Sequence, residues 1–462
     1  MEESISRRSF IGGMGAALAA ATAVATGCTP ATEAEKPEAA DAPAEEPATE
    51  KPQLASTASG DMTDAEALAA LQDEAEITSD LTLDDGTVIP ALYVRVRNHA
   101  NRVGTGLGSE IDTSANYWCF VMRAFSEEEA ALYVQMPLAK NFTATELSYI
   151  SGEDEAYCGQ VLEDLSKRGL LYRTRRGGTA FYRLIPQING MWEYSINKWF
   201  IEPDEPDVAY LADNFMQLGG DWMPANMDGD TPPLFRTVPV SAEVVGDERI
   251  ISPFDDYEAI LRRNTVIARG DCVCRAANEA FGETCDHPKQ TEILTGEEAE
   301  YYIENGIGWP ITADEAIQVI KDAIDEGLVI QTTFSKASEI FCCCGGDCCK
   351  MLNGVKAVGG GEGMQYYSHY HLNYDVDSCI SCGTCLTRCH LDAITMDEDN
   401  HPQTGPTCVR CGQCAVTCPA GARTLVLNED YPELPDTLVD SDLHKALTRM
   451  KRGHIVDFVP QA

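Results

Sequence analysis

The sequence predicts an α+β chain built from several domains, and three observations carry that expectation. At 462 residues the chain is about three times an ordinary domain of roughly 150 residues. Stretches with apolar residues at helical spacing are interspersed with short runs in which apolar and polar residues alternate. Sixteen of the 19 cysteines fall in three clumps between Cys272 and Cys418, at short intervals that suit metal ligation better than a disulfide framework spread through a small domain. Hydrophobic residues at 44% supply ordinary soluble cores. The net charge of −40 repels phosphate backbones, so no nucleic-acid partner is expected.

The first segment, residues 1–28, reads as an address. Ser6-Arg7-Arg8-Ser9-Phe10-Ile11 is followed by a weakly hydrophobic run from Ile11 to Gly27. This resembles a twin-arginine export signal. Ala25-Thr26-Gly27-Cys28 resembles a lipoprotein cleavage box, with Cys28 as the lipidated residue; Ala23-Val24-Ala25 is a rival cleavage site. Both imply a mature protein outside the cytoplasm, periplasmic or on the outer face of the membrane. Acylation at Cys28, the reading preferred, adds a membrane anchor. Residues 29–75 follow as a disordered Pro/Ala/Glu tether, with Pro30, Pro37, Pro43, Pro47 and Pro52 in a composition too polar to offset ordering entropy.

Residues 80–205 read as a compact α+β unit. Ser126 caps a helix over Glu127 to Met136, Thr143 and Thr145 precede a short second one, and Glu153 to Arg168 forms a third with Tyr157, Val161, Leu162 and Leu165 on one side. Two alternating runs around Gly177-Gly178 make a hairpin. Three helices and a hairpin resemble a winged helix. Its basic residues, Lys167, Arg168, Arg173, Arg175, Arg176 and Arg183, are read as a scaffold or docking face rather than a DNA reader, given export and overall acidity. Cys119 and Cys158 are expected to be small buried residues.

A connecting segment, 206–255, leads to a cysteine-rich α/β module, 256–353. It contains Asp271-Cys272-Val273-Cys274-Arg275, then Cys285-Asp286-His287-Pro288, then Cys342-Cys343-Cys344-Gly345-Gly346-Asp347-Cys348-Cys349. An amphipathic helix, Thr312 to Gly327, buries Ala316, Ile317, Ile320, Ala323 and Ile324, and a strand from Leu328 to Thr332 returns the last clump towards the first. Three readings compete for these eight thiols. The preferred one is a third metal site, iron–sulfur or zinc, on Cys272, Cys274 and Cys285, completed by Cys344 or Cys348. The others are a redox-active thiol set and structural disulfides.

A Gly-rich link, 354–369, precedes the strongest motif. Cys379, Cys382, Cys385 and Cys389 have the spacing C-x2-C-x2-C-x3-C, and Cys408, Cys411, Cys414 and Cys418 repeat it 29 residues later. This pattern resembles the bacterial dicluster ferredoxin fold, over residues 370–426. The resemblance implies two 4Fe–4S clusters with crossed ligation. One set is Cys379, Cys382, Cys385 and Cys418; the other is Cys408, Cys411, Cys414 and Cys389. Pro419 agrees with that family, whereas His390 stands where proline is usual. A C-terminal tail with a helix, 427–462, ends the chain. His369 and His371 alternate along a strand and read as a satisfied or exposed pair rather than haem ligands. The broader order of elements, over roughly residues 110–425, resembles a family of ferredoxin-type proteins of unassigned role, in which another cysteine often stands near the position of Thr291.

These readings converge on an exported electron-transfer protein, with a membrane donor and a periplasmic reductase as redox partners. The alternative is an iron–sulfur oxidoreductase whose second cysteine set is a catalytic metal or thiol centre. A redox sensor is a weaker third reading.

Overall fold

The computed structural model describes residues 62–106, 115–201, 232–241, 245, 252–280, 282–360, 367–455 and 457–460. The expected export signal, Cys28 and the tether up to residue 61 lie outside the described residues, as do Gly361 and Gly363 of the glycine-rich link. The architecture is mixed α and β. No helix among the described residues is long and apolar enough to cross a membrane.

The first helix, α1 (Asp64–Leu71), corrects the expected extent of the tether, which was drawn to residue 75. Thr63 and Glu66 form a reciprocal capping box, which satisfies donors left open at a helix start. Ala67 and Leu71 then pack against Ala446 and Met450. A short hairpin, β1 (Leu81–Thr82) and β2 (Val88–Ile89), leads into α2 (Ala91–Ala100) and α3 (Ala115–Ala124).

The next helices are placed by their caps. Ser126 caps α4 (Glu127–Tyr133), Thr143 caps α5 (Ala144–Ser151) and Asp154 caps α6 (Glu155–Lys167). The first of these ends at Tyr133 rather than Met136. The third starts two residues later than Glu153, because Asp154 turns its carboxylate onto the amides of Ala156 and Tyr157. Gly152 ends α5 in the left-handed region (φ 79°), which costs glycine little. β3 (Tyr172–Arg176) and β4 (Thr179–Arg183) pair antiparallel across Gly177-Gly178. One π turn, Gln187–Met191, opens α7 (Trp192–Ile201). Cys119 and Cys158 are buried in this unit's core.

β5 (Phe235–Thr237) belongs to the expected connecting segment, yet it pairs with a strand nearly a hundred residues on. After it come α8 (Tyr257–Arg263), β6 (Ile267–Gly270), α9 (Val273–Ala280), β7 (Glu292–Thr295), α10 (Gly296–Glu304), β8 (Gly308–Pro310), α11 (Ala313–Asp325), β9 (Val329–Thr333), β10 (Ile340–Cys344) and α12 (Lys350–Val358). The strands form one six-stranded antiparallel sheet in the order β5-β9-β10-β7-β6-β8. The apolar face of α11, Ala316, Ile317, Ile320, Ala323 and Ile324, is buried on that sheet. The glycine-rich link is shorter than drawn, because helix continues to Val358 before Gly359 turns with φ 71°.

The last part comprises β11 (Tyr370–Tyr374), α13 (Thr384–Thr387), β12 (Ile394–Met396), β13 (Pro402–Thr404), α14 (Gln413–Val416), β14 (Arg423–Leu427) and α15 (Leu438–Lys451). β11 pairs with β14 and β12 with β13, both antiparallel. The 29-residue repeat is also a backbone repeat. Ser381 and Arg410, Gly383 and Gly412, and Asp392 and Gly421 share positive φ in pairs.

The basic hairpin is covered by its own chain. Arg173 donates to Glu163, Glu304 and Asn305. Arg175 reaches Glu163 and Glu304, Arg176 meets Glu297, and Arg183 meets the buried Glu298. Three of these acids, Glu297, Glu298 and Glu304, come from α10. A continuous apolar core runs from Val94 through Trp118, Leu162 and Tyr301 to Leu352, Leu391 and Val409. The helical unit, the sheet and the final repeat therefore share one interior.

Arg173 is 4% exposed and joins Glu163 and Glu304 to the buried Asn305, so removing it breaks an ion-pair cluster and takes the donor from the Asn305 amide oxygen. Arg173→Ala is expected to cost about 3 kcal/mol, whereas Arg176→Ala, with an exposed side chain, should change stability by no more than about 1 kcal/mol. Thermal unfolding midpoints of the two variants beside the parent check this difference.

Candidate metal centres

The two four-cysteine sets expected from the repeat each line one hollow. Cys379, Cys382, Cys385 and Cys418 line the first, together with Tyr374, Pro402, Pro419 and Arg423. Cys389, Cys408, Cys411 and Cys414 line the second, together with Leu391, Ile394 and Val409. The crossing arises because α13 and α14 pack together and place the fourth cysteine of each run beside the other's loop. Gly383 and Gly412 start these short helices at φ 74° and 86°. Backbone amides turn towards sulfur there: Ser381 N–H donates to Cys379 Sγ at 3.4 Å and Ala393 N–H to Cys389 Sγ at 3.4 Å.

The hollows differ electrostatically. The first is near solvent, and Thr384 lowers the Cys382 thiol by hydrogen bonding to it. The second is dry. Burial pushes the Cys414 thiol up to about 12 against the opposing pull of Arg423, and also raises Cys411 well above its ordinary value. Arg423 stands between the two sets. It lines the first hollow, hydrogen-bonds Cys414 of the second, and is anchored by Thr404 Oγ1 and the Pro402 carbonyl, each at 3.0 Å. The second hollow is fixed to the C-terminal end of α11 and the turn after it by Gln413, whose amide donates to the Ile324 and Leu328 carbonyls, and by Arg388, which donates to Ile324 and Asp325.

The other eight cysteines divide. Cys272, Cys274, Cys342, Cys343, Cys344, Cys348 and Cys349 line a third hollow of about 640 Å³, part of it open to solvent. Within it, Cys272, Cys274, Cys349, Cys344 and Cys342 follow one another as neighbours, each thiol shifting the next. Gln331 Nε2 donates to Cys344 Sγ at 2.9 Å and the Lys350 amide to Cys274 Sγ at 3.4 Å. Of the residues proposed from sequence, Cys272, Cys274 and Cys344 meet in this network. Cys285 does not line the hollow; its sulfur lies 2.8 Å from Cys348 and 3.8 Å from Asp347. Cys349 lies between Cys274 and Cys344, and nothing in its clump of adjacent cysteines distinguishes it by spacing.

Arg275 explains the residue after the C-x-C motif. It is 3% exposed and donates to the Pro288 carbonyl and Thr291 Oγ1, each at 2.6 Å, and to the Cys343 carbonyl at 2.9 Å. Thr291 is therefore an anchor for Arg275 and not a sulfur ligand's stand-in. His390 also acquires a role: its Nδ1 accepts the Gly346 N–H at 3.4 Å, a bond that the proline usual in the resembling family could not make.

Two further acids line the third hollow. Burial raises both Glu193 and Glu292 to about 8. Glu298, beyond them, is raised to about 7 by burial. His369 is a satisfied histidine: its Nδ1 meets Asp255 at 2.5 Å and its ring lies 3.8 Å from that of Tyr431, while His371 is exposed.

Comparison with protein-family models, with curated proteins and with solved structures returned no match for this chain.

The raised carboxyls fix a sign for pH dependence. The folded state keeps protons on Glu193, Glu292 and Glu298 that the unfolded chain releases above its ordinary value of 4.5. Their contribution to stability is therefore full below about pH 4.5 and falls as pH rises towards 8. Glu292→Gln should flatten this decline, read as unfolding midpoints from pH 5 to pH 8. An unchanged slope would show that Glu292 does not carry the proton.

Proposed function

We propose that this is an exported iron–sulfur protein that carries electrons by means of two 4Fe–4S clusters, held in a fold like that of bacterial dicluster ferredoxins. The observation that carries this reading is the lining of the two hollows by the crossed sets, Cys379/Cys382/Cys385/Cys418 and Cys389/Cys408/Cys411/Cys414. Spacing within a run is local, but the crossing needs the chain to bring Cys389 and Cys418 over. Zinc fits less well. A tetrahedral ion with Zn–S bonds of about 2.3 Å draws its thiolates to about 3.8 Å from one another. Among the described residues, the groups that close within 4.8 Å include none of these eight cysteines.

When bound, the clusters supply one-electron chemistry at low reorganisation cost. The chain's own residues do the rest. Eight thiolates hold the metal, apolar residues such as Leu391, Ile394 and Val409 keep water from the inner hollow, and amides on sulfur tune potential. Arg423 places a fixed positive charge between the two sets. The half-open first hollow, with Ile380 65% exposed, is the face that meets a redox partner. In this reading the winged-helix-like unit is a scaffold, and the segment before residue 62 delivers and tethers the protein through a lipid on Cys28. A membrane donor and a periplasmic reductase are its partners.

We also infer a third metal site on Cys272, Cys274, Cys344 and Cys349, iron–sulfur in preference to zinc by the same spacing argument, since among the described residues no three of these sulfurs close within 4.8 Å. One observation favours the oxidoreductase reading as the second choice: this thiol network opens onto a hollow walled by Ile188, Trp192, Phe235 and Met351 and by two acids raised to about 8. Such a hollow can take a small apolar molecule and give or accept a proton at its edge. A compound that perturbs only the spectrum of this site and is turned over would establish it.

The carrier reading predicts at least eight irons per chain in the anaerobically purified mature protein. Cys379→Ser and Cys418→Ser should abolish one and the same EPR signal, and Cys389→Ser and Cys408→Ser the other. A colourless, iron-free protein refutes the reading. Loss of one signal by Cys379→Ser together with Cys389→Ser refutes the crossing.

A further inference from the structure

The loop after β10 brings together a second group of metal-binding side chains, outside the third hollow's sulfur network. Cys285 Sγ, Cys348 Sγ and a carboxylate oxygen of Asp347 lie within 4.8 Å of one another. On the other side of the same carboxylate, Asp347 Oδ1 is 3.5 Å from His287 Nε2. His287, Asp347 and His390 form a second group within the same limit. Three separate stretches of chain converge on Asp347: the Cys-Asp-His-Pro loop, the cysteine-rich turn, and the residue that follows Cys389.

The convergence is built into the backbone. A Cβ on Gly345 would stand 2.3 Å from Asp347 Oδ1 and 2.9 Å from the His287 ring, and one on Gly346 would stand 1.7 Å from the His390 carbonyl oxygen. Any side chain at either glycine would push these groups apart. Lys356 holds the turn from the other side by donating to the Gly346 carbonyl at 3.1 Å.

We propose that Cys285, Cys348, Asp347 and His287 bind one zinc ion, at a site that shares the Cys348 edge of the third hollow but uses none of Cys272, Cys274, Cys344 and Cys349. Two thiolates, an imidazole and a carboxylate suit zinc and not the hard cations magnesium or calcium. The two sulfurs need to separate by about 1 Å to reach the spacing of a tetrahedral zinc site. On binding, each thiol loses its proton to solvent and its sulfur donates a pair to the metal, so no oxidant or reductant is required. Cys348 is buried while the Asp347 side chain is 50% exposed, which gives the ion a route from solvent. His390 backs the site: its ring is tilted against His287 with centroids 5.6 Å apart. The ion would thus tie the loop bearing Cys285 and His287 to the turn after β10. The inference stands independently of the dicluster reading, since it uses none of the eight ferredoxin-type cysteines.

The test is zinc K-edge X-ray absorption on the anaerobically purified mature protein, treated with chelator and reloaded with one equivalent of zinc sulfate. One retained zinc per chain is expected, with two sulfur scatterers at about 2.3 Å and two nitrogen or oxygen scatterers at about 2.0–2.1 Å. Cys285→Ser should reduce the shell to one sulfur. Cys285→Ser with Cys348→Ser should weaken zinc binding by at least about 100-fold with iron content unchanged. Asp347→Asn, at an exposed position that does not endanger folding, should weaken it by about 10-fold. The proposal is overturned by an undiminished two-sulfur shell in the double variant, by a shell without sulfur, or by a mass showing Cys285 and Cys348 joined as a disulfide with no zinc retained. Iron content separates these outcomes from failure of the carrier reading.

Discussion

The cysteine-rich module is organised by one guanidinium. Arg275 lies at the start of α9, between the loop bearing Cys285 and the strand bearing Cys342 to Cys344, and donates to both. Its planar fork satisfies the Pro288 carbonyl, the Thr291 hydroxyl and the Cys343 carbonyl with one rigid group, which a lysine could not do from a single nitrogen. Without it the loop and the strand would each expose an unpaired carbonyl in a dry interior, and the thiols would have no fixed separation. Its charge matters as well. Although burial works against it, neighbouring Cys272, Cys348 and Cys344 hold the guanidinium firmly protonated. That cation is in place for thiolates that form when metal displaces their protons.

The same economy governs how the modules are joined. The net charge of −40 is not spread evenly, because the β3–β4 hairpin carries arginines that α10 meets with Glu297, Glu298 and Glu304. Arg183 also lies over the Tyr172 ring, 3.7 Å from its centroid, so its partial burial is met by π electrons and by a carboxylate. The docking face expected from sequence has an occupant within the chain. The shared apolar core then makes the thiol-bearing loops part of one body, so the distances between the cysteine sets are set by packing and not by a flexible linker.

Local signals were legible in the sequence and long-range ones were not. The caps at Ser126 and Thr143 could be read because a cap acts within three residues, whereas the helix start expected at Glu153 misses the cap at Asp154. The amphipathic face of α11 could be read because period and burial coincide. The doubled cysteine spacing could be read for the same reason. By contrast, β5 is three residues long and gains its identity from β9, and nothing within residues 235–237 announces a partner at 331–333. The helix Asp64–Leu71 has the Ala/Glu composition of the tether that precedes it, and what distinguishes it is the packing of Ala67 and Leu71 on a helix almost four hundred residues away. The clump Cys342 to Cys349 shows that eight residues hold five thiols but not which way each faces. The pleat of β10 and the turn after it decide that, sending Cys344 and Cys349 towards Cys274 and Cys348 towards Cys285.

Dry thiols connect the fold to the proposed chemistry. Burial raises Cys343, Cys411 and Cys414 far enough that they hold their protons in the metal-free chain, and Cys274 together with burial raises Cys272. A metal that takes these sulfurs must expel those protons, and in return it replaces several poorly solvated thiols by one neutralised centre with satisfied bonds. On the proposed reading, metal loading and the closing of this interior are coupled, since the residues around the thiols share one core with Leu352, Leu391 and Val409. A chain of this kind has to receive its metal while the interior is still forming. On the proposed reading that requirement and the twin-arginine-like segment at Arg7-Arg8 answer each other, because a route that moves folded proteins is the one compatible with a core closed around its metal before export.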